Sequence, residues 1–347
     1  MTKMKYVRLG NSGLRVSRLC LGTMTYGSKK WREWVLEEAE ARPFFEKALE
    51  AGINFFDTAD VYSGGVSEEI VGRALKDMAG DREDVVVATK CFFGTGARGV
   101  NRSGLSRKSI MAACDASLKR LGLDYIDLYQ IHRFDRNVPM EETLEALSDL
   151  VRAGKVRYIG ASSMYGWQFQ KYLDLAEKHG FVRFVSMQNH YNLVYREEER
   201  EMMPLCAAEG IGVIPWSPQA RGFLAGNRHR QGGGDTSRAK TDEQAAGWYY
   251  DDSDFAVADR NVEIAKKLGV SPAQTALAWV LANPVVTAPI VGVSKLPQFD
   301  EALAALGIEL SAEDKAALEA VPYTHLTPPT RSPAYIPVSL APSPSLP

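Results

Sequence analysis

The sequence predicts an α/β fold, an eight-stranded (β/α)8 TIM barrel preceded by a β-hairpin. Three observations predict it. Short, continuous apolar runs of strand length recur eight times, and each is followed by a helical pattern. These runs do not alternate apolar with polar residues, as expected of parallel strands covered on both faces. No linker breaks the first 320 residues, so the rival reading, two doubly wound domains, lacks the boundary it needs.

Residues 5–21 read as a hairpin around the turn Asn11-Ser12-Gly13. The first barrel strand is counted from 18–21, and the second is 54–57. A helix follows from Ser67 to Met78, with Ser67 as its N-cap and Glu68 and Glu69 in its first turn. Strand 84–89 precedes helix 109–121, strand 125–131 precedes helix 140–153, and strand 156–161 precedes helix 167–179. Strand 184–188, a helix near 196–209 and strand 211–215 come next. A long polar loop spans 217–253, followed by helices at 254–268 and 272–283 and a last strand at 288–291. Helices near 296–306 and 311–320 close the domain, which is read as residues 1–322.

Composition narrows the function. Of 347 residues, 45% are hydrophobic and 24% charged, which suits a globular chain. A net charge of −2 gives no electrostatic case for nucleic acid or an anionic membrane as partner. The N-terminus lacks the apolar run of a signal peptide, and no stretch approaches the length of a spanning helix. Cys20, Cys91, Cys114 and Cys206 are scattered and form no CxxC pair, so they read as reduced thiols of a cytoplasmic protein, with no metal site.

Gly94-Thr95-Gly96-Ala97-Arg98-Gly99 matches G-x-G-x-x-G after a strand. A dinucleotide fingerprint needs its helix to begin at the glycines, so that amide N–H groups meet the pyrophosphate. Here the helix begins only near 106–108, and the motif reads as a loop, as does Gly232-Gly233-Gly234.

In such a barrel, active residues gather where the strands end. Strand two ends in Asp57, with Tyr62 five residues on. Strand three ends in Lys90, and strand four in His132. Singly, each has an ordinary explanation: a turn cap, a loop aromatic, a surface lysine, a core histidine. Jointly they are more specific. A lysine after Val85-Val86-Val87-Ala88 is expensive to bury without an anion, and Asp57 supplies one.

At these residues the chain resembles the aldo-keto reductase superfamily, in the branch similar to potassium-channel β subunits. The resemblance rests on Gly52-Ile53-Asn54-Phe55-Phe56-Asp57-Thr58-Ala59-Asp60-Val61-Tyr62, on Ala88-Thr89-Lys90 and on Asp127-Leu128-Tyr129-Gln130-Ile131-His132, and covers residues 5–320. It implies a barrel that binds NADP(H) without a Rossmann domain and reduces small aldehydes or ketones. Tyr62 would donate a proton to the carbonyl oxygen. A free phenol holds its proton to about pH 10, and Lys90 beside it would favour the phenolate. Asp57 would orient Lys90, and His132 would position the carbonyl.

The same resemblance implies a cofactor site. Gly22, Thr23 and Met24 end strand one, where cofactor and substrate meet in relatives. Ser162, Ser163 and Gln188 stand where relatives hold the carboxamide, with Ser163 in place of a longer Asn. Trp216 would stack on the nicotinamide. Ser217, Pro218, Gln219 and Arg221 would run beside the pyrophosphate. Gly292, Ser294, Lys295, Gln298 and Glu301 would take the adenosine 2′-phosphate and adenine. Gln298 stands where many relatives carry Arg and Ala302 where they carry Asn, so Lys295 is the one clear cation there. His190 reads as a packed loop histidine, with a place in the substrate pocket as the alternative. Tyr26, Trp31, Trp34, Phe92 and Phe93 are candidate pocket walls.

Residues 323–347 hold seven prolines and no apolar period. This composition predicts a disordered tail foreign to the barrel pattern, with a proline-rich binding tail as the functional alternative. Two further functions compete with the reductase. One is a redox-sensing regulatory module like a channel β subunit. The other is a non-redox barrel enzyme, against which the nicotinamide-site residues argue.

Overall fold

The computed structural model describes residues 4–96, 99–231, 233–234 and 236–321. The tail at 323–347 and residues 97, 98 and 232 of the two glycine runs lie outside the described residues.

The chain opens with an antiparallel hairpin, β1 (Tyr6–Arg8) and β2 (Arg15–Ser17). Eight parallel strands follow: β3 (Cys20–Gly22), β4 (Phe55–Asp57), β5 (Val86–Cys91), β6 (Ile126–Ile131), β7 (Val156–Ser162), β8 (Ser186–Gln188), β9 (Gly212–Val213) and β10 (Ile290–Val291). β3 to β9 pair in chain order, and β10 returns to pair with β3. The Thr287 and Ile290 amides donate to the Val213 and Pro215 carbonyls at 2.8 and 2.9 Å, joining the last two strands and closing the barrel.

The helices between them are α1 (Glu38–Glu50), α2 (Val66–Met78), α3 (Arg107–Leu121), α4 (Met140–Arg152), α5 (Gly166–His179) and α6 (Met202–Glu209). After β9 come α7 (Ser237–Thr241), α8 (Glu243–Trp248), α9 (Asp252–Leu268) and α10 (Pro272–Leu281). After β10 come α11 (Leu296–Ala305) and α12 (Ala312–Glu319).

Alternation along the strands sorts side chains into two cores. Phe55, Val86, Ala88, Leu128, Ile214 and Ile290 fill the barrel, and Leu9 and Val16 of the hairpin plug its lower end. The opposite set, including Phe56, Val87, Tyr129 and Ile131, packs under the helices. The hairpin turn is pressed against the barrel floor: a Cβ on Gly10 (φ +57°) would lie 2.5 Å from the Gly210 carbonyl, so only glycine fits.

Several expectations need correction. The hairpin is narrower than 5–21, because Leu21 already belongs to a barrel strand. Ser67 is not an N-cap, since α2 starts at Val66 behind Gly65. Its buried hydroxyl instead donates to the Thr23 carbonyl and accepts from Thr58, tying together the chain after β3 and β4. No helix spans 196–209; a 3-10 turn at Glu197–Glu199 precedes α6. Pro204 explains this, because its ring excludes a helical carbonyl four residues earlier and confines it to a first turn. The segment 217–253 is not one loop. It holds a 3-10 segment at Ala220–Ala225 and the short α7 and α8, capped by Thr236 and Asp242. The Gly94–Gly99 motif is followed by a helix only at Arg107, capped by Ser106, as expected for a loop. All four cysteines are buried and free.

Candidate active site

The sheet register brings the polar strand ends to one level. Asp57 on β4 lies beside Ala88 on β5, and Lys90 lies beside Gln130 on β6, which lies beside Gly160 on β7. Alternation then points Asp57, Lys90, Gln130, Ser162 and Gln188 into the barrel above the apolar plug.

Lys90 is fully buried. Its ammonium donates to Asp57 Oδ1 at 2.6 Å, to the Thr58 carbonyl at 2.8 Å and to Tyr62 Oη at 3.3 Å. The other Asp57 oxygen accepts from Gln130 Nε2 at 3.0 Å and Gln188 Nε2 at 2.9 Å. Every partner the ammonium and carboxylate need is therefore supplied by the fold. Burial works against the Lys90 charge, but the Asp57 carboxylate and the Tyr62 oxygen outweigh it and hold the ammonium above the ordinary lysine value. Gly160 makes the crossing possible: a Cβ there would sit 2.9 Å from Gln130 Cγ and 2.5 Å from Ser186 Oγ.

The His132 ring meets Tyr62 edge-on with centroids 5.9 Å apart. Burial first, then the charges of Lys90 and Arg133, keep His132 well below the ordinary imidazole value, so the ring is neutral. Its Nδ1 has no hydrogen-bond partner among the described residues. Asp57, Tyr62, Lys90 and His132 are thus one contiguous group.

Above this group opens a cavity of about 1320 Å³. That exceeds the roughly 300–1,000 Å³ of most small-molecule sites. Asp57, Tyr62 and His132 line its floor, with Lys90 just beneath. Gly22, Thr23, Met24, Ser162, Ser163, Gln188 and Trp216 line it at the strand ends. Ser217, Pro218, Gln219 and Arg221 line the wall after β9. Gly292, Ser294, Lys295, Gln298 and Glu301 line the wall after β10. Of the candidate walls, Trp31, Trp34, Phe92 and Phe93 face the cavity. Tyr26 does not; it is core, packed against Phe44 and Phe45. His190 is packed, stacked between Trp216 and Tyr195 at 4.2 and 4.3 Å.

A family model for the aldo/keto reductase family matches residues 18–322. The chain belongs to the aldo/keto reductase family. It is 47% identical over 335 residues to a versiconal hemiacetal acetate reductase of Aspergillus parasiticus, covering 91% of this chain and 96% of that protein. It is 46% identical to the aldo-keto reductase dtxS3 of Metarhizium robertsii, covering 92% and 91%. It is 47% identical to a putative aryl-alcohol dehydrogenase of Schizosaccharomyces pombe, covering 90% and 94%. Membership makes the chain an oxidoreductase acting on carbonyl groups, in a family that uses nicotinamide cofactors. No helix among its described residues is long and apolar enough to cross a membrane.

Several groups in this aldo/keto reductase are engaged in ways the sequence did not indicate. Both N–H groups of the Gln188 amide are used on Asp57 and Gln130 Oε1, the latter at 3.1 Å. Ser162 Oγ donates to the Gln188 carbonyl at 2.7 Å, and Trp216 Nε1 donates to Ser163 Oγ at 3.1 Å. Arg221 forks onto Asp242 at 2.8 and 2.9 Å, and Arg238 joins the same carboxylate at 3.0 Å. Arg238 also lies over the Trp34 ring at 4.4 Å, so the loops after β3 and β9 meet across the cavity. Gln298 Oε1 accepts from the Ser294 and Lys295 amides, which makes it a helix cap. Gln130, Arg133, Asp242 and Arg238 are the site residues sequence reasoning missed. Gln130 had a signal, being an amide two residues before His132 on the same strand face.

Proposed function

We propose that this chain reduces aldehydes or ketones to alcohols with NADPH, Tyr62 acting as the proton donor. One observation carries the reading: a buried ammonium 2.6 Å from a carboxylate and 3.3 Å from a phenol oxygen, beneath a cavity of dinucleotide size.

Tyr62 gives its proton to the carbonyl oxygen, and Lys90 stabilises the phenolate that remains. Asp57 fixes Lys90, and Gln130 and Gln188 fix Asp57. Neutral His132 offers an N–H to the same carbonyl oxygen and orients it. When bound, the reduced nicotinamide supplies the hydride that the carbonyl carbon accepts.

The donor set fits such a cofactor. Arg221, Arg228, Arg238 and Lys295 line the walls after β9 and β10, and with Glu301 and the Asp242 that holds Arg221 and Arg238 counted against them the cations remain in excess, so the wall suits phosphates. The Trp216 ring, backed by His190, offers a flat face at the strand ends. Ser163 accepts from the Nε1 of that ring, and Ser162, Gln188, Gly22, Thr23 and Met24 line the same cavity. Lys295, at the start of α11, would take the 2′-phosphate.

The test follows NADPH absorbance with 4-nitrobenzaldehyde. The wild-type chain should turn over, and Tyr62→Phe should lower kcat by about 10²- to 10⁴-fold while still quenching NADPH fluorescence. Very slow single turnover with retained cofactor would replace this reading with a redox-sensing module. Unchanged kcat in Tyr62→Phe would remove Tyr62 as donor.

A further inference from the structure

We propose that Arg133 makes the substrate end of the cavity selective for acids: its guanidinium takes the carboxylate of a carbonyl compound whose reacting group sits at Tyr62. The inference rests on the reductase reading and names the class of substrate for that site.

Unpaired charge sets Arg133 apart from the cations around it. The neighbouring cations are matched within the fold. Lys90 is on Asp57, Arg221 and Arg238 are on Asp242, and Lys29 is 2.7 Å from Glu40. Arg133 is half-buried in the cavity wall, yet among the described residues no carboxylate lies within ion-pair reach of it. Asp135, two residues on in the same cavity wall, forms no ion pair with it. Its oxygens accept from the Leu105 and Asn137 amides at 2.8 and 2.9 Å. Burial draws the Arg133 guanidinium down to about 10. The His132 carbonyl and the Phe93 ring offset part of the cost of withdrawing this cation from water, and no anion among the described residues offsets the rest. A ligand anion does.

Position decides which part of a ligand that is. Arg133 directly follows His132, and one of its nitrogens donates back to the His132 carbonyl at 2.6 Å. The guanidinium carbon lies 5.6 Å from the Phe93 ring, whose centroid is 5.0 Å from that of His132. His132 feels its charge, and Arg133 in turn feels the Tyr62 oxygen. It therefore belongs to the reacting end of the cavity, while Lys295 and the Arg221 clasp line walls formed after other strands. A guanidinium carries five N–H donors in a planar fork. The His132 carbonyl uses only part of it, and the rest matches a carboxylate two-pronged.

Phe92 and Phe93, whose rings meet at 4.9 Å, and Trp31, 6.4 Å from Tyr62, wall the same end. The chemistry recognised is a flat apolar body with a carbonyl at one end and a carboxylate at the other.

The experiment compares 3- and 4-carboxybenzaldehyde with their methyl esters, reading kcat/KM at saturating NADPH. In the wild-type chain at least one acid should exceed its ester. Arg133→Met should lower that acid-to-ester ratio on the order of 10- to 100-fold, chiefly through KM of the acid. Arg133→Lys should restore part of it. Terephthalate has no carbonyl to reduce; it should compete with the aldehyde in the wild-type chain and lose this effect in Arg133→Met. Thermal denaturation of both variants checks that they fold. If the wild-type chain prefers every ester, or Arg133→Met lowers acid and ester equally, acid selection is overturned while the reductase reading stands. If no aldehyde, including 4-nitrobenzaldehyde, is reduced, both fall.

Discussion

The two ends of the cavity are built by different means. At the catalytic end, Asp57, Lys90, Gln130 and Gln188 come from four strands, and sheet register sets their spacing. All four are buried, and each is held by another strand's side chain. At the other end, Ser217, Arg221, Asp242 and Lys295 stand on loops and the starts of short helices. There the chain enters the left-handed region at Ser217, Ala220 and Arg221, with φ of 53°, 48° and 55°, as it also does at Ser63 and Ser163 around the catalytic group. Non-glycine residues held so cost about 1–3 kcal/mol each. Under the proposed function, the difference follows from the two tasks. Proton transfer needs atoms placed within a hydrogen bond of one another, which strands provide. Neutralising a phosphate needs charge nearby, which a loop can deliver.

Removing the central cation should break this contrast most severely. Lys90→Met leaves the Asp57 carboxylate buried with only two amides, and breaking a buried pair in this way costs about 3–5 kcal/mol. Urea denaturation should read that loss, and kcat should fall by at least about 100-fold. The double change Lys90→Met with Asp57→Leu should recover much of the stability and none of the activity. A loss below about 1 kcal/mol in the single variant would mean that the strand-held end is not tightly determined.

A second change tests whether the catalytic end carries a cost even when intact. Asp60 is 2% exposed, its amide donates to the Lys90 carbonyl at 3.2 Å, and its Oδ1 has no partner among the described residues. Burial, reinforced by Glu68, pushes its carboxyl up to about 7. The folded value lies above the unfolded one. The protonated form therefore suits the fold, and that benefit is complete below about pH 4 and lost as pH rises through about 7. Asp60→Asn should raise stability by roughly 4 kcal/mol at pH 8 and by little at pH 4. Equal effects at both pH values would show that the carboxyl titrates like a surface group.

The same contrast explains what could be read from sequence. The strands were legible because runs such as Val85-Val86-Val87-Ala88 admit little but a covered strand. Asp57, Lys90 and His132 were legible because each closes such a run with a group that is costly to bury. Gln130 was missed, because its one signal, an amide on the same strand face as His132, says nothing of Asp57 until Gly160 is seen to make room for it. Ser67 misled, since a serine before two glutamates reads as a cap, while its hydroxyl is spent inside the fold. The α7 and α8 helices span only five and six residues, too short for a period, although Thr236 and Asp242 are ordinary caps. Arg133 was passed over because an unpaired charge is a property of neighbours, which sequence order does not reveal.

The smallest effect is expected where the loop-held end is most exposed. Lys295 is exposed, and Gln298 already occupies the Ser294 and Lys295 amides. A 2′-phosphate would therefore meet one screened ammonium rather than a ring of donors. An exposed ion pair is worth about 0.2–1 kcal/mol. Reversing the charge replaces attraction with repulsion, so Lys295→Glu should raise KM for NADPH by roughly 3- to 10-fold and leave KM for NADH nearly unchanged. The difference should shrink as salt is raised toward 1 M, where screening acts within about 3 Å. Equal changes for both cofactors would detach Lys295 from the 2′-phosphate. A fall in kcat as large as the rise in KM would carry a different meaning: a charge on the loop after β10 would then be felt at Tyr62, and the two ends would be mechanically joined rather than separately built.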